Sequence, residues 1–407
     1  MGDVIRRYGP FTEQYAGLIN DLERCGFSEA GADTDPLDGS MISFPYDWRR
    51  DNAESATNLV DLLDRIVGHR GQNVRIVLVA HSMGGLIARF ALECGRFTER
   101  PGIAAVVGLI TLGTPHRGAP EALLVALGQR RKLFLSQDQA TLLARDPRFP
   151  SLYQLFPPRG EPFAWQRELQ QRREALDVYD TSTARALNLV PENLAAAEQF
   201  HAGLDHTRRP SHVRYFCFVG TRQPTTTAVE LRTQHTAMVA TALEVADAGD
   251  GTVPSWSASL SGEQGLPVGG EHGTLYRDSR VREGLFSLFG RVGVSRASHT
   301  VNVQLALRDR VADPGTSVPL TLSFHGRGVR LITGTIEVHQ LPEPDAAAES
   351  LQVVGGEPVS YQGAALESLS LRIRMPDLAG MYRLHFQSTG PEDVASIDDE
   401  FLVQSSN

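Results

Sequence analysis

Cysteine is scarce in this 407-residue chain: Cys25, Cys94 and Cys217 are the only three, too scattered for a disulfide framework or a metal site of recognised spacing. A reducing compartment is the expectation. Lysine is scarcer still, with Lys132 alone among 39 basic residues, a skew we attribute to GC-rich coding in a bacterium and give no functional weight. No apolar run approaches the ~20 residues that a membrane span requires. The opening "MGDVIRRYGPFTEQ" lacks the apolar core of a signal peptide, and Arg6 breaks the usual myristoylation pattern, so a cytoplasmic location is expected. A net charge of −9 argues against a general phosphate-binding surface, and nucleic acid is not an expected partner. Solenoid-type repeats and low-complexity tracts are also missing.

What is present is the composition of an ordinary globular protein, 41% hydrophobic and 21% charged, long enough for two domains. From Phe11 to Leu22 the apolar residues keep helical spacing, and Gly26 fits a left-handed C-cap. "SMISFPYDWRR" reads as a short strand, followed by a helical stretch through Leu59, Leu62, Leu63 and Ile66. "VRIVLVA" and "AAVVGLITLGT" are nearly continuous Val- and Ile-rich runs, as parallel strands covered on both faces require. From Pro115 to about Pro210 polar, Arg-bearing helical segments such as "APEALLVALGQ" and "PENLAAAEQFHAG" suggest an inserted helical cap. "HVRYFCFVG" then resumes the sheet, with "DAGDGTVP" and "GGEHGTLYRDSRVREGLFSLFG" following as loop, loop and last helix. Beyond about Arg291 the periodicity falls to two in "HTVNVQLAL", "SVPLTLSFHG", "LITGTIEVHQL", "LESLSLRIRM" and "GMYRLHFQST", the pattern of an all-β, Ig-like sandwich of about seven strands. The expected architecture is a mostly parallel α/β domain over 1–294, with a cap at about 115–210, and a β-sandwich over 295–407.

Chemistry enters at "NVRIVLVAHSMGGLIARFAL". Ser82 lies between an apolar strand and a helix, in a nucleophile-elbow pattern where Ala80 replaces the first glycine. Such a turn exposes the serine Oγ and aims the Met83 N–H, at the helix N-terminus, where an oxyanion would form. The hydroxyl needs a base held in one tautomer by a carboxylate, in the chain order serine, acid, histidine. Asp250 in "AGDGTVP" and His272 in "GEHGTL" supply that order from Gly-flanked loops. Asp247, three residues away, is the rival acid, and Asp205 falls too early. His81 is fixed beside the nucleophile and cannot turn toward it, while His116 in "TPHRGAP" reads as trimming a strand exit.

Together "FPYDWRR", "AHSMGGLIARF", "TLGTPHRGAP", "PSLYQLFP", "GDGTVP" and "EHGTL" resemble the lecithin:cholesterol acyltransferase-like branch of the α/β-hydrolases, over about Tyr15 to Gly290. The resemblance implies Ser82 as nucleophile, Asp250 as acid, His272 as base, and a lid between the "GTPHRG" and "YFCFVG" strands that forms the acyl pocket. It implies transfer of acyl chains from lipid esters to an alcohol or to water, with no metal or organic cofactor. The fold's second oxyanion donor comes from a loop ahead of the first helix. "MGDVIRRYGP" is too short to carry that loop and its strands, so N-terminal strands are expected to be missing and the natural start to lie upstream.

The leading expectation is thus a serine acyl hydrolase or O-acyltransferase acting on lipid or other esters; the alternative is an impaired hydrolase that binds through its β domain. "RRKLFLSQDQATLL" reads as a solvated amphipathic helix, with transient contact at an anionic membrane surface as the alternative. Nothing in the sequence sets an oligomeric state.

Overall fold

The computed structural model describes residues 7–8, 12–13, 15–31, 34–130, 137–167, 173–234, 237–260, 263–290, 301–307, 311–325, 329–340, 352–366, 368–390, 394–397 and 399–404. Contacts divide them into two compact units, one holding the described residues of 18–130 and 137–276, the other those of 6–17 and 277–407.

The first unit is built on four parallel strands in the spatial order Gln264–Val268, Arg214–Gly220, Val106–Leu112 and Ile76–His81. The two middle strands are mostly apolar, Arg214 and Thr111 being the exceptions, because both faces are covered: Val106, Leu109, Leu112 and Phe218 are completely buried. Ile76–His81 is the edge strand among the described residues, and Val77 is 38% exposed there. The helix Asn52–Arg70 starts at an Asp51 cap that accepts the Ala53 N–H, and it stops at Gly71, φ 87°. Its stripe of Ala56, Leu59, Val60, Leu63 and Ile66 shares one core cluster with Leu86, Ile87 and Phe90 of the helix Met83–Glu93 and with Leu109 of the sheet.

The inserted region holds the expected helices, at Glu121–Ala126, Gln137–Ala144, Ser151–Gln154, Thr181–Ala186 and Pro191–Ala202. It is not purely helical. Strands Ala164–Arg167 and Arg173–Leu176 join a long hairpin, Gln223–Gln234 with Ala237–Gly249, in a second four-stranded sheet. Leu123, Tyr153, Phe156, Val178, Val229 and Leu231 form the core between these helices and strands. The basic-apolar stretch at 131–136 lies outside the described residues, and among those described no helix is long and apolar enough to cross a membrane.

Two local readings change. The first helix runs Ala16–Arg24 rather than from Phe11, and Thr12–Glu13 pairs with Arg7–Tyr8 instead; apolar spacing does not fix where the first turn nucleates. "SMISFPYDWRR" forms no strand and ends in a turn: Pro45 has no N–H to give, and among the described residues no strand pairs with it.

In the second unit the nine described strands beyond residue 300 form two sheets around one apolar core. The first runs Ser368–Arg374, Ser317–His325, Val301–Leu307, Val394–Ile397; the second runs Val311–Ala312, Asp399–Val403, Gly380–Ser388, Val329–Gln340, Gln352–Leu366. Val303, Leu305, Leu320, Leu322, Ile336, Val338, Leu384 and Phe386 fill the space between them, each two residues from the next inward position of its strand. The expected period-two segments are all strands here. Gln352–Leu366 escapes that pattern because it is an edge strand, exposed at most positions.

Candidate active site

Ser82 ends the strand Ile76–His81 and caps the helix Met83–Glu93 in a left-handed conformation, φ 53° and ψ −130°. A non-glycine residue holds such a conformation only when its surroundings impose it. Here the Ser82 N–H donates to the Leu112 carbonyl at 2.9 Å, and the Ser82 carbonyl accepts the Gly85 N–H at 3.0 Å. Small residues at the turn have unequal tasks. A Cβ on Gly84 would meet nothing nearer than 3.8 Å, whereas one on Gly85 would stand 2.0 Å from Thr114 Oγ1. Gly85, not Gly84, is the residue that the packing of helix on strand exit demands.

His272 opens a short 3-10 turn, His272–Arg277, and its imidazole reaches both partners expected from the sequence. Its Nε2 lies 2.7 Å from Ser82 Oγ, and its Nδ1 lies 2.9 Å from Asp250 Oδ2. Asp250 is completely buried. Its Oδ1 accepts the Val253 N–H at 2.7 Å and the Thr252 N–H at 3.1 Å, and its main-chain carbonyl accepts the His272 N–H at 2.8 Å. Burial by itself raises the Asp250 carboxyl; the charge and hydrogen bond of His272 and the two loop N–H donors outweigh it and hold the group below the ordinary carboxylate value. An ionised Asp250 accepts from Nδ1–H, which leaves Nε2 as the free lone pair facing the serine hydroxyl. Asp250, not its rivals, is the carboxylate bonded to His272: Asp247 sits at φ 56° near the end of the hairpin, and Asp205 accepts from the N–H and hydroxyl of Thr207.

Sequence reasoning missed two residues around this chain of hydrogen bonds and, for a third that it had set aside as a base, missed the contact it makes. Gly113, φ 55°, passes so close that a Cβ there would stand 2.8 Å from Asp250 Oδ2 and 3.3 Å from His272 Nδ1. A Cβ added to Gly220 would likewise stand 2.4 Å from Asp250 Cβ. The glycine in "TLGTP" was the only signal of the first. The third is His81, whose Nε2 lies 2.7 Å from the His272 carbonyl oxygen, with the two rings 4.9 Å apart. Loss of solvent around the ring, and then the neighbouring His272, push His81 down to about 3, so it is neutral near pH 7.

Beneath the elbow helix lies a buried polar cluster. Arg89 and Glu93 form a two-bond ion pair at 2.8 Å, the Tyr215 hydroxyl donates to Glu93 Oε1 at 3.0 Å, and Arg89 Nη1 donates to the His116 carbonyl at 3.2 Å. His116 thus does more than trim a strand exit: its Nε2 is 3.2 Å from Thr111 Oγ1, and burial with Arg89 nearby pushes its imidazole well below the ordinary value.

A parallel sheet covered by helices, with a strained serine at the carboxyl end of one strand, defines an α/β-hydrolase fold. Residues 8–188 match the family described as lecithin:cholesterol acyltransferase, so the resemblance carried by the motifs is shown over that stretch. The match includes Ser82 and Met83 and ends before Asp250 and His272. No curated protein matches the chain. Among solved structures the chain is similar to "The crystal structure of Tle4-Tli4 complex", at 15% identity and TM-score 0.45 over 60% of this chain and 66% of that one. It is also similar to Bacillus licheniformis lipase BlEst2, at 15% identity and TM-score 0.34 over 60% of this chain and 76% of that one. At this distance neither likeness speaks to activity.

Proposed function

We propose that the chain is a serine-dependent lipid-ester acyl hydrolase or O-acyltransferase working through an acyl-enzyme on Ser82. Ser82 Oγ attacks the ester carbonyl carbon as its proton passes to His272 Nε2, and Asp250 stabilises the imidazolium through Nδ1–H. The tetrahedral oxyanion takes the Met83 N–H at the N-terminus of its helix. Collapse releases the alcohol, protonated by His272, and leaves the acyl chain on Ser82. Water or a second alcohol then gives its proton to His272 and attacks the acyl-enzyme, so that hydrolysis and transfer use the same residues and differ only in acceptor. The observation that carries this reading is the unbroken path from Asp250 Oδ2 to His272 Nδ1 at 2.9 Å and from His272 Nε2 to Ser82 Oγ at 2.7 Å.

The test is a long-chain p-nitrophenyl ester assayed with and without a primary alcohol, alongside fluorophosphonate labelling of the native chain and Ser82→Ala. Phenolate release and label on the native chain, with neither on S82A, are expected; a new alkyl ester in the alcohol arm marks transfer. A folded native chain that takes no label would refute the acyl-enzyme and favour a binding role.

A further inference from the structure

His81 has no part in the proton path, yet it is bonded to the residue that does the proton transfer. His272 sits in "GGEHG", with glycines on both sides and Gly270 at φ 99°. Glycine leaves a main chain freer than any other residue does, so the loop's own sequence does little to hold the base in place. The two peptide groups of His272 are nevertheless both tied. Its N–H donates to the Asp250 carbonyl at 2.8 Å, and its carbonyl faces His81 Nε2 at 2.7 Å. A carbonyl only accepts, so Nε2 of His81 carries the hydrogen. His81 is covalently next to Ser82, and its grip on the His272 carbonyl joins the main chain of the base to that of the nucleophile.

We infer that His81 is a positioning residue: a neutral imidazole whose Nε2–H holds the His272 main chain at the distance that keeps His272 Nε2 on Ser82 Oγ. The inference rests on the acyl-transfer reading above. His81 is not a spare base, because the nitrogen nearest the site is a donor. Its neutrality also matters during turnover, when His272 carries a proton. The rings are 4.9 Å apart, and a second charge there would oppose the imidazolium that acyl transfer needs.

Two variants and one spectrum test this in the full chain. H81F keeps a ring and loses the donor; H81Q loses the ring and keeps an N–H of similar reach. On a long-chain p-nitrophenyl ester H81F is expected to lower kcat about 10- to 100-fold with KM nearly unchanged, and to slow fluorophosphonate labelling of Ser82 by the same factor. H81Q is expected to recover most of that loss. Nitrogen-15 NMR of the native imidazoles is expected to show His81 as the neutral Nε2–H tautomer at pH 6, a signature no general packing role requires. Native kcat in H81F, equal losses in both variants, or a His81 imidazolium or Nδ1–H tautomer at pH 6 would overturn the inference. If H81F does not fold, the spectrum of the native chain still decides. An inactive, unlabelled native chain would instead remove the acyl-transfer reading itself, a result no His81 variant can imitate.

Discussion

Gly113 shows how much of the site is held by atoms that take no part in the reaction. At φ 55° an L-residue pays roughly 1–2 kcal/mol of backbone strain, and its Cβ would displace the Asp250 carboxylate from a position 2.8 Å away. Gly113→Ala is therefore expected to lower kcat about 100-fold, since displacement of a catalytic group by about 1 Å has that effect. Gly84→Ala, whose Cβ would meet only ordinary contacts at 3.8 Å and beyond, is expected to keep nearly native kcat. Parallel kinetics and melting curves of the two variants check this pair, and comparable kcat in both would show that the Asp250 position is not critical. The choice of acid is checked in the same assay. Asp250→Asn loses the acceptor that fixes the His272 tautomer and is expected to cost ~10⁴-fold in kcat, as the same change does in other serine hydrolases, while Asp247→Asn leaves kcat near native. Ser82, Asp250 and His272 could be proposed from the sequence because Ala80 and Gly84 stand two residues either side of Ser82, Asp250 and His272 lie in Gly-flanked loops, and the chemistry dictates their order. Gly85, Gly113 and His81 were not, because their roles are distances to residues far along the chain, and no local pattern encodes a distance.

At the scale of elements, the helix that follows Ser82 is tied to the sheet by charge as well as by apolar packing. The side chains of Arg89 and Glu93 are 3% and 0% exposed, and the Tyr215 hydroxyl from the strand Arg214–Gly220 donates to the carboxylate. Removing one partner of such a pair strands the other charge without solvent, at a cost of about 3–5 kcal/mol, whereas replacing both by apolar residues of similar volume is close to neutral. Glu93→Gln is expected to fall in the first class and the double change Arg89→Met with Glu93→Leu to be markedly more stable than it. Urea unfolding of the three proteins measures the difference, and equal destabilisation would mean that the pair carries more than charge compensation. Elements with strong local patterns, such as the helix Asn52–Arg70 and the middle sheet strands, were readable in advance. The hairpin Gln223–Gln234/Ala237–Gly249 was not. Its "TTTAVELRTQ" has β-branched residues, but its partner strand Ala164–Arg167 lies some sixty residues away, and parallel pairing such as Ala164 with Val229 leaves no mark on either segment.

For the molecule as a whole, the two units differ in what they bury, and that difference sets how each responds to acid. The first unit holds His116, 4% exposed and pushed well below 6.5 by burial and then by Arg89, together with His81 and His201, both lowered chiefly by burial. Above pH 6.5 these histidines are neutral whether the chain is folded or not, and they add no pH dependence. As the pH falls below 6.5 the unfolded chain binds protons that the folded unit refuses, so stability declines, by up to about 2 kcal/mol at pH 5 for His116 alone. His81 and His201 act in the same direction. The carboxylates held below their usual values, Asp250 among them, keep their full contribution across this window and lose it only as the pH falls below about 3.8. Among the described residues of 301–404 no polar or charged side chain belongs to the buried set, and the sandwich core is apolar throughout. Scanning calorimetry between pH 7.5 and 5 is therefore expected to resolve one transition that moves to lower temperature on acidification and one that moves far less. Against a total of about 5–15 kcal/mol for a typical domain, a loss of this size is large enough to shift the first transition by several degrees. Replacing His116 with Asn, which cannot take up a proton, is expected to flatten the pH dependence of the moving transition without altering the other. A first transition that stays fixed down to pH 5 would mean that the unit accepts protons on these rings while folded, and with them a charged His81 beside the base.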